Sequence, residues 1–194
     1  MSEGSPFGRW SEDVARHLMR YSKGFLPAMI TRAEGAFVYD ADGRAILDFA
    51  SGQMCATVGH NHPDVLAAMR QAMAEPLHLY SNMLSPAVVE LAVDLARLLP
   101  PNLQKAMFLS TGSESNEAAI RIAKLETGGF EVIAMGNAWH GMTAGSNAST
   151  YAGARKGYGP TMPGTMALPP PNGYRCPIRH CAGTCDATCL DVGF

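Results

Sequence analysis

MFLSTGSESNEAAIRIAKL, Met107 to Leu125, is the stretch whose reading decides the fold. Its lead-in, Ala106 to Leu109, has the composition of a buried strand. Ser110-Thr111-Gly112-Ser113 then forms a turn of small residues, and a helix runs from about Ser113 to Thr127. Ala119, Ile122, Ala123 and Glu126, with Ala118, Ile120 and Leu125 alongside, recur at the three- and four-residue spacing of a buried stripe. A strand that feeds a helix through hydroxyl residues and glycine leaves amides unpaired at the positive end of the helix dipole, and Gly112 allows close approach to the backbone. Such a turn can cradle an anion. Ser110 and Thr111 equally suit plain helix capping, and Glu114 and Glu117 would repel a phosphate unless they point away from it.

A second stretch, Ala138-Trp139-His140-Gly141-Met142-Thr143, follows the apolar run Val132 to Met135, which reads as the next strand. In a parallel sheet the two turns emerge at the same edge, where an aromatic could stack on a flat cofactor whose phosphate sits at Gly112. STGSESNEAAIRIAK and WHGMT, in this order and spacing, resemble the large domain of the class III aminotransferases, which use pyridoxal phosphate, and within that family the 2,2-dialkylglycine decarboxylase group. The resemblance implies an α/β fold of the fold type I pyridoxal-phosphate transferases. Residues 1–50 would be an arm, a helix and a β-hairpin of the small domain, and residues 51–194 a partial cofactor-binding large domain. It further implies that Thr111, Gly112 and Ser113 hold the cofactor phosphate and that Trp139, with His140 beside it, stacks on the pyridine ring.

Composition agrees with a soluble globular protein. The 194 residues are 47% hydrophobic, with 15 basic and 17 acidic side chains and a formal net charge of −2. No basic excess points to nucleic acid, and no apolar run is long enough to span a membrane. Met1 to Trp10 lacks the apolar core of a secretory signal, so the expected location is cytoplasmic.

Outward from the centre, Glu12 to Tyr21 reads as an amphipathic helix with Val14, Leu18 and Met19 on one side. Phe37-Val38-Tyr39-Asp40 and Ile46-Leu47-Asp48-Phe49 flank Ala41-Asp42-Gly43-Arg44, an Asp-Gly turn signal that predicts a hairpin, and Met29 to Gly35 has strand character ahead of it. Pro63 and Pro86 suit first helical positions, which predicts helices from Pro63 to about Met73 and from Pro86 to about Leu98, the latter with Val88, Leu91, Ala92, Leu95 and Leu98 on its apolar face. His60 and His62 invite a metal reading. Two residues apart with no acidic or Cys partner at ligand spacing, they better suit a capping segment. Gly141 to Lys156 reads as a short helix and a loop, Met162 to Pro171 as irregular, and Asp186 to Phe194 as the start of a helix.

The resemblance assigns further roles. It places Gln53 against the substrate carboxylate, or its departing carbon dioxide in the decarboxylating group, and gives Leu79 and Ser81 to a bound alkali ion, whose remaining ligands match nothing in this sequence. Pyridoxal phosphate chemistry needs an amine for the Schiff base, yet none of Lys23, Lys105, Lys124 and Lys156 is expected at a strand end facing Gly112. No catalytic residue is therefore assigned. The chain reads as an N-terminal fragment of a family enzyme, catalytically incomplete by itself. The family's substrates are an amino acid and a keto acid, and its members are homodimers or higher homo-oligomers. The alternative is a non-catalytic module that binds cofactor or a partner chain. Cys176, His180, Cys181, Cys185 and Cys189 crowd the tail. Without a paired C-x-x-C they read as a reduced loop rather than a zinc site.

Overall fold

The computed structural model of the chain describes residues 6–19, 24–153, 159–176 and 183–193. Its Cα packing separates two units, Met1–Leu98 and Leu99–Phe194.

The first unit opens with α1 (Pro6–His17). This helix starts and stops earlier than the apolar spacing suggests. Pro6 suits a first turn, and the Arg16–Glu12 pair, 2.9 Å apart, supports the last. Leu18 and Met19 lie beyond the helix, exposed. A three-stranded antiparallel sheet follows, in the order β1 (Ile30–Glu34), β2 (Phe37–Asp40), β3 (Ala45–Leu47). The hairpin at Asp40–Arg44 forms where the Asp-Gly signal places it. Asp40, 7% exposed, accepts from the amides of Asp42 (3.1 Å) and Arg44 (2.9 Å) and from Arg44 Nε (3.1 Å), while Gly43 supplies a φ of +81°.

Backbone hydrogen bonds in both directions between Gly35 and His60, 3.0 and 2.8 Å, join this sheet to the stretch before α3 (Pro63–Ala72). His62 caps α3, its Nδ1 accepting from the Asp64 amide at 3.3 Å, which agrees with the capping reading for that residue, whereas His60 pairs with the Asp48 carboxylate. Between them lies α2 (Ser51–Met54), a single kinked turn. α4 (Pro86–Leu98) ends the unit. Only part of its expected apolar face is covered: Val88, Leu91 and Leu98 remain exposed.

The second unit differs from expectation in three places. Residues 106–109 form no strand. A strand exists through the ladder it makes, and the parallel ladder here joins β4 (Val132–Met135) to β5 (Thr165–Leu168), in the register Val132↔Thr165 to Met135↔Leu168. β5 falls in the stretch that reads as irregular, because Pro163 and Pro169 flank it but stay outside the ladder. The third difference concerns α5 (Gly112–Thr127). Its apolar stripe is not buried: Ile122 is 53% and Leu125 76% exposed. The partly covered positions are Ser113, Asn116, Glu117, Ala118, Ile120 and Lys124. That face meets a segment rich in bare backbone, which demands hydrogen-bonding side chains rather than apolar ones.

α6 (Ala144–Ala148) packs on α5, and α7 (Thr188–Gly193) lies against β5. The carboxylate of Asp186 accepts from the Thr188 amide (3.1 Å) and hydroxyl (2.8 Å) at the start of α7. Ala134 and Ala148 are the buried apolar side chains among the described residues. In the cysteine-rich tail, Cys176 is half-buried and Cys185 exposed. His180 and Cys181 lie outside the described residues, as does the Cys189 side chain. No cluster of metal-ligating side chains occurs among the described residues.

Candidate cofactor site

Thr111 is the N-cap of α5, with φ −138° and ψ 159°. Its hydroxyl accepts from the Glu114 amide (3.2 Å), and Glu114 Oε2 accepts from the Thr111 amide (2.9 Å), a reciprocal capping box. The Ser115 amide reaches Thr111 O at 3.0 Å. Within the first turn this leaves the amides of Gly112 and Ser113 without a helical partner. A Cβ placed on Gly112 would meet nothing within 4 Å, so the space beside its Cα is open. Two N–H donors at the positive end of a 16-residue helix fit a phosphate group. Glu114 stays at this terminus and would flank a bound anion, whereas Glu117 is turned elsewhere.

The loop after β4 is tied to the same helix. Ser113 Oγ accepts from the Met142 amide (3.1 Å), and Asn116 Nδ2 donates to His140 O (2.7 Å). Glu117 Oε1 accepts from the amides of Gly145 (2.7 Å) and Ser146 (3.1 Å). Thr150, 0% exposed, accepts from the His140 amide at 3.0 Å and donates to Ser146 O at 2.9 Å. Gly141 has a φ of +135°, and a Cβ there would lie 2.1 Å from Ser113 Oγ. The Ser113 hydroxyl thus accepts from the loop but keeps its own hydrogen to donate. Trp139 is 46% exposed and immediately precedes the anchored His140.

The Glu117 carboxyl is held below the ordinary glutamate value of 4.5, first by the Thr143 hydroxyl and then by the amides of Ser146 and Gly145, against the opposing effect of burial. A carboxylate held by amides at the start of α6 stays ionised, since each of these donors favours the charged form.

Of the remaining candidate residues, Gln53 sits in α2 of the first unit. The backbone there is forced: Ser51 (φ +53°), Gly52 (φ +67°) and Met54 (φ +61°) all lie in the left-handed region. Two of these are not glycine, and such strain persists only where neighbours impose it. Asp48 imposes it. Its carboxylate accepts from the amides of Gly52 (2.6 Å) and Ala50 (3.0 Å), and His60 Nε2 lies 2.8 Å away. No sequence spacing announces an Asp48–His60 pair twelve residues apart. The Gly52 amide, then the His60 side chain, hold the Asp48 carboxyl below its ordinary 3.8, with the Ala50 amide adding to them and burial opposing. A depressed carboxyl stabilises the fold above its unfolded value and loses that contribution as pH falls through the folded one. Asp48→Asn is therefore expected to be less stable than wild type at neutral pH, and the gap should close as pH drops below about 3.8. Urea unfolding across that range checks this; a gap that does not change with pH would remove the carboxylate from the account. Leu79 and Ser81 lie in the turn-rich stretch before α4, Leu79 half-buried and Ser81 exposed.

The family model for class III aminotransferases matches residues 19–190. This chain belongs to the class III aminotransferase family. An uncharacterized aminotransferase of Schizosaccharomyces pombe is 46% identical over 181 residues, covering 93% of this chain and 40% of the relative. A diaminobutyrate–2-oxoglutarate aminotransferase of Haemophilus influenzae is 33% identical over 170 residues, covering 86% of this chain and 37% of the relative. Among solved structures, an (S)-enantioselective omega-transaminase from Thermomicrobium roseum superposes with a TM-score of 0.77 at 30% identity, over 88% of this chain and 41% of that one. A taurine:2-oxoglutarate aminotransferase from Bifidobacterium kashiwanohense, solved with pyridoxal phosphate and glutamate, gives the same TM-score at 24% identity, over 89% of this chain and 40% of that one. The class III chain thus spans about 40% of the length of the relatives it matches, and its fold is the corresponding part of the α/β, fold type I transaminase architecture. No helix among the described residues is long and apolar enough to cross a membrane.

Proposed function

We propose that this chain supplies the phosphate- and ring-binding part of a pyridoxal-phosphate-dependent transaminase that moves an amino group from an amino acid to a keto acid. The pair of first-turn amides at Gly112 and Ser113, without a helical partner and on the helix to which the Trp139-His140 loop is tied, carries this reading. The cofactor, when bound, supplies an electron sink for bond breaking beside the amino nitrogen. The chain's own residues bind and orient. The Gly112 and Ser113 amides take the phosphate, Thr111 fixes the turn, and Trp139, with His140 behind it, offers a flat face to the ring. The Gln53 amide would orient a substrate carboxylate without a full ion pair, which suits a decarboxylating member because strong carboxylate binding opposes loss of carbon dioxide. The carbonyl of Leu79 and the hydroxyl of Ser81 are hard oxygen donors suited to an alkali ion. Residues 1–50 would belong to the small domain and 51–194 to the large one, in a cytoplasmic homodimer.

One observation favours a second reading, a non-catalytic binding module. Among the described lysines, Lys105 is exposed ahead of the turn, and Lys124 Nζ lies 4.5 Å from the Phe130 ring centroid. Neither is placed to take the cofactor covalently at Gly112.

Pyridoxamine 5′-phosphate, which has no aldehyde to react with surface lysines, tests the binding. In a Trp10→Phe background it should quench Trp139 fluorescence saturably, and pyridoxamine without phosphate should bind at least about tenfold more weakly, for loss of the charge-assisted contacts. Absence of saturable quenching would sink the transaminase reading. A single stoichiometric adduct in the intact mass after treatment with pyridoxal phosphate and borohydride would then overturn the non-catalytic reading, since it means covalent capture by this chain.

A further inference from the structure

We infer that Glu117 is a positioning residue for the cofactor ring, setting the place of Trp139 through α6 without touching the phosphate turn. The inference rests on the binding reading above and adds a residue to it. Ser113, Asn116 and Glu117 lie on one face of α5, and each holds backbone of the loop that follows β4. Ser113 and Glu117 are one helical turn apart and grip Met142 and Gly145–Ser146 respectively, so Gly141 to Ser146 is strung along the helix between two fixed points.

The far point is Glu117. α6 has five residues, too few to be stable on its own, and its N-cap residue Thr143 makes no side-chain hydrogen bond to the amides that follow. The Glu117 carboxylate takes over that task by accepting from the Gly145 and Ser146 amides. The fit leaves no slack, because a Cβ on Gly145 would lie 2.5 Å from Glu117 Oε2. The consequence returns to the loop at the other end of α6. There Thr150 binds the amide of His140 and the carbonyl of Ser146, so a displaced α6 displaces His140 and the Trp139 beside it. The phosphate turn, capped separately by Thr111 and Glu114, is spared.

The test compares two probes on the full chain in the Trp10→Phe background: pyridoxamine 5′-phosphate, read by Trp139 quenching, and inorganic phosphate, read by competition. Glu117→Ala should weaken the first by about tenfold or more and reduce the maximal quench, as expected for loss of charge-assisted hydrogen bonds. Phosphate affinity should stay within about twofold of wild type. Gly145→Ala pushes the carboxylate away from the other side and should give the same split. Glu117→Gln keeps an acceptor oxygen for both amides and should restore most of the binding, which a charge effect on the ligand would not. Parallel weakening of both probes, or no weakening in either Glu117→Ala or Gly145→Ala, would overturn the inference while leaving the binding reading intact. If wild type fails to bind pyridoxamine 5′-phosphate, the binding reading fails first and this inference with it. Should Glu117→Ala not fold, the contrast between Gly145→Ala and Glu117→Gln decides alone.

Discussion

Gly141→Ala should destabilise the second unit by roughly 2–5 kcal/mol, the sum of an overpacking cost and a backbone cost. The overpacking is severe because the new Cβ would sit 2.1 Å from Ser113 Oγ and 2.7 Å from Ser146 Oγ. Neither hydroxyl can simply turn aside: Ser113 Oγ is engaged with the Met142 amide, and Ser146, 0% exposed, with Thr143. The backbone cost arises because φ is +135°, a conformation that L side chains rarely adopt. Urea unfolding followed by Trp139 emission, with Trp10 replaced by Phe, reads the second unit alone. The same variant should lose pyridoxamine 5′-phosphate quenching, since Ser113 and the loop are the parts forced apart. A loss of less than about 1 kcal/mol would mean that the loop is not pinned to α5 as its geometry states.

The parts legible in the sequence were those fixed by local chemistry. Asp-Gly between alternating apolar runs marks the hairpin; proline marks the starts of α3 and α4; Thr111 suits helix capping in sequence and caps α5 in the structure, where Glu114 completes a capping box. What periodicity misread was what depends on a neighbour. Ala106 to Leu109 has strand composition, but a strand needs a ladder, and Met107 is 65% exposed. The stripe through Ile122 and Leu125 is apolar and exposed, yet the covered face of α5 runs through Ser113, Asn116 and Glu117 with Ala118 and Ile120 beside them, because what its polar side chains meet is backbone. Glu117 shows the difference most clearly. In sequence it is an acidic residue near a helix start, to be weighed as a possible repulsion of phosphate. In the fold it points at another helix altogether, where its charge is used. Asp48 and His60 belong to the same class: twelve residues apart, each unremarkable, and brought together where the backbone of Asp48 bonds Ala36 and that of His60 bonds Gly35.

Thr150→Val is the sharper probe of how the loop is held, because it changes almost nothing except hydrogen bonding. Threonine and valine have nearly the same shape, so no cavity opens around a side chain that is 0% exposed. Gly141 O loses a long contact of 3.3 Å, and two backbone groups lose a close partner. One is the His140 amide, which donates to Thr150 Oγ1 at 3.0 Å; the other is Ser146 O, which the Thr150 hydroxyl approaches at 2.9 Å. Ser146 O lies in the last turn of α6, where carbonyls lack helical donors and a side chain must serve instead. Leaving buried polar groups unmatched costs more than a hydrogen bond contributes when formed, so a loss of roughly 1–3 kcal/mol is expected. Thr150→Ser, which keeps the hydroxyl and drops a methyl, should cost about 1 kcal/mol. If the two variants fall together, Thr150 acts by packing and the link from α6 back to His140 is not made through its hydroxyl. If valine is the worse by a clear margin, the hydroxyl joins the end of α6 to the residue beside Trp139, and the aromatic face depends on a side chain eleven positions along the chain.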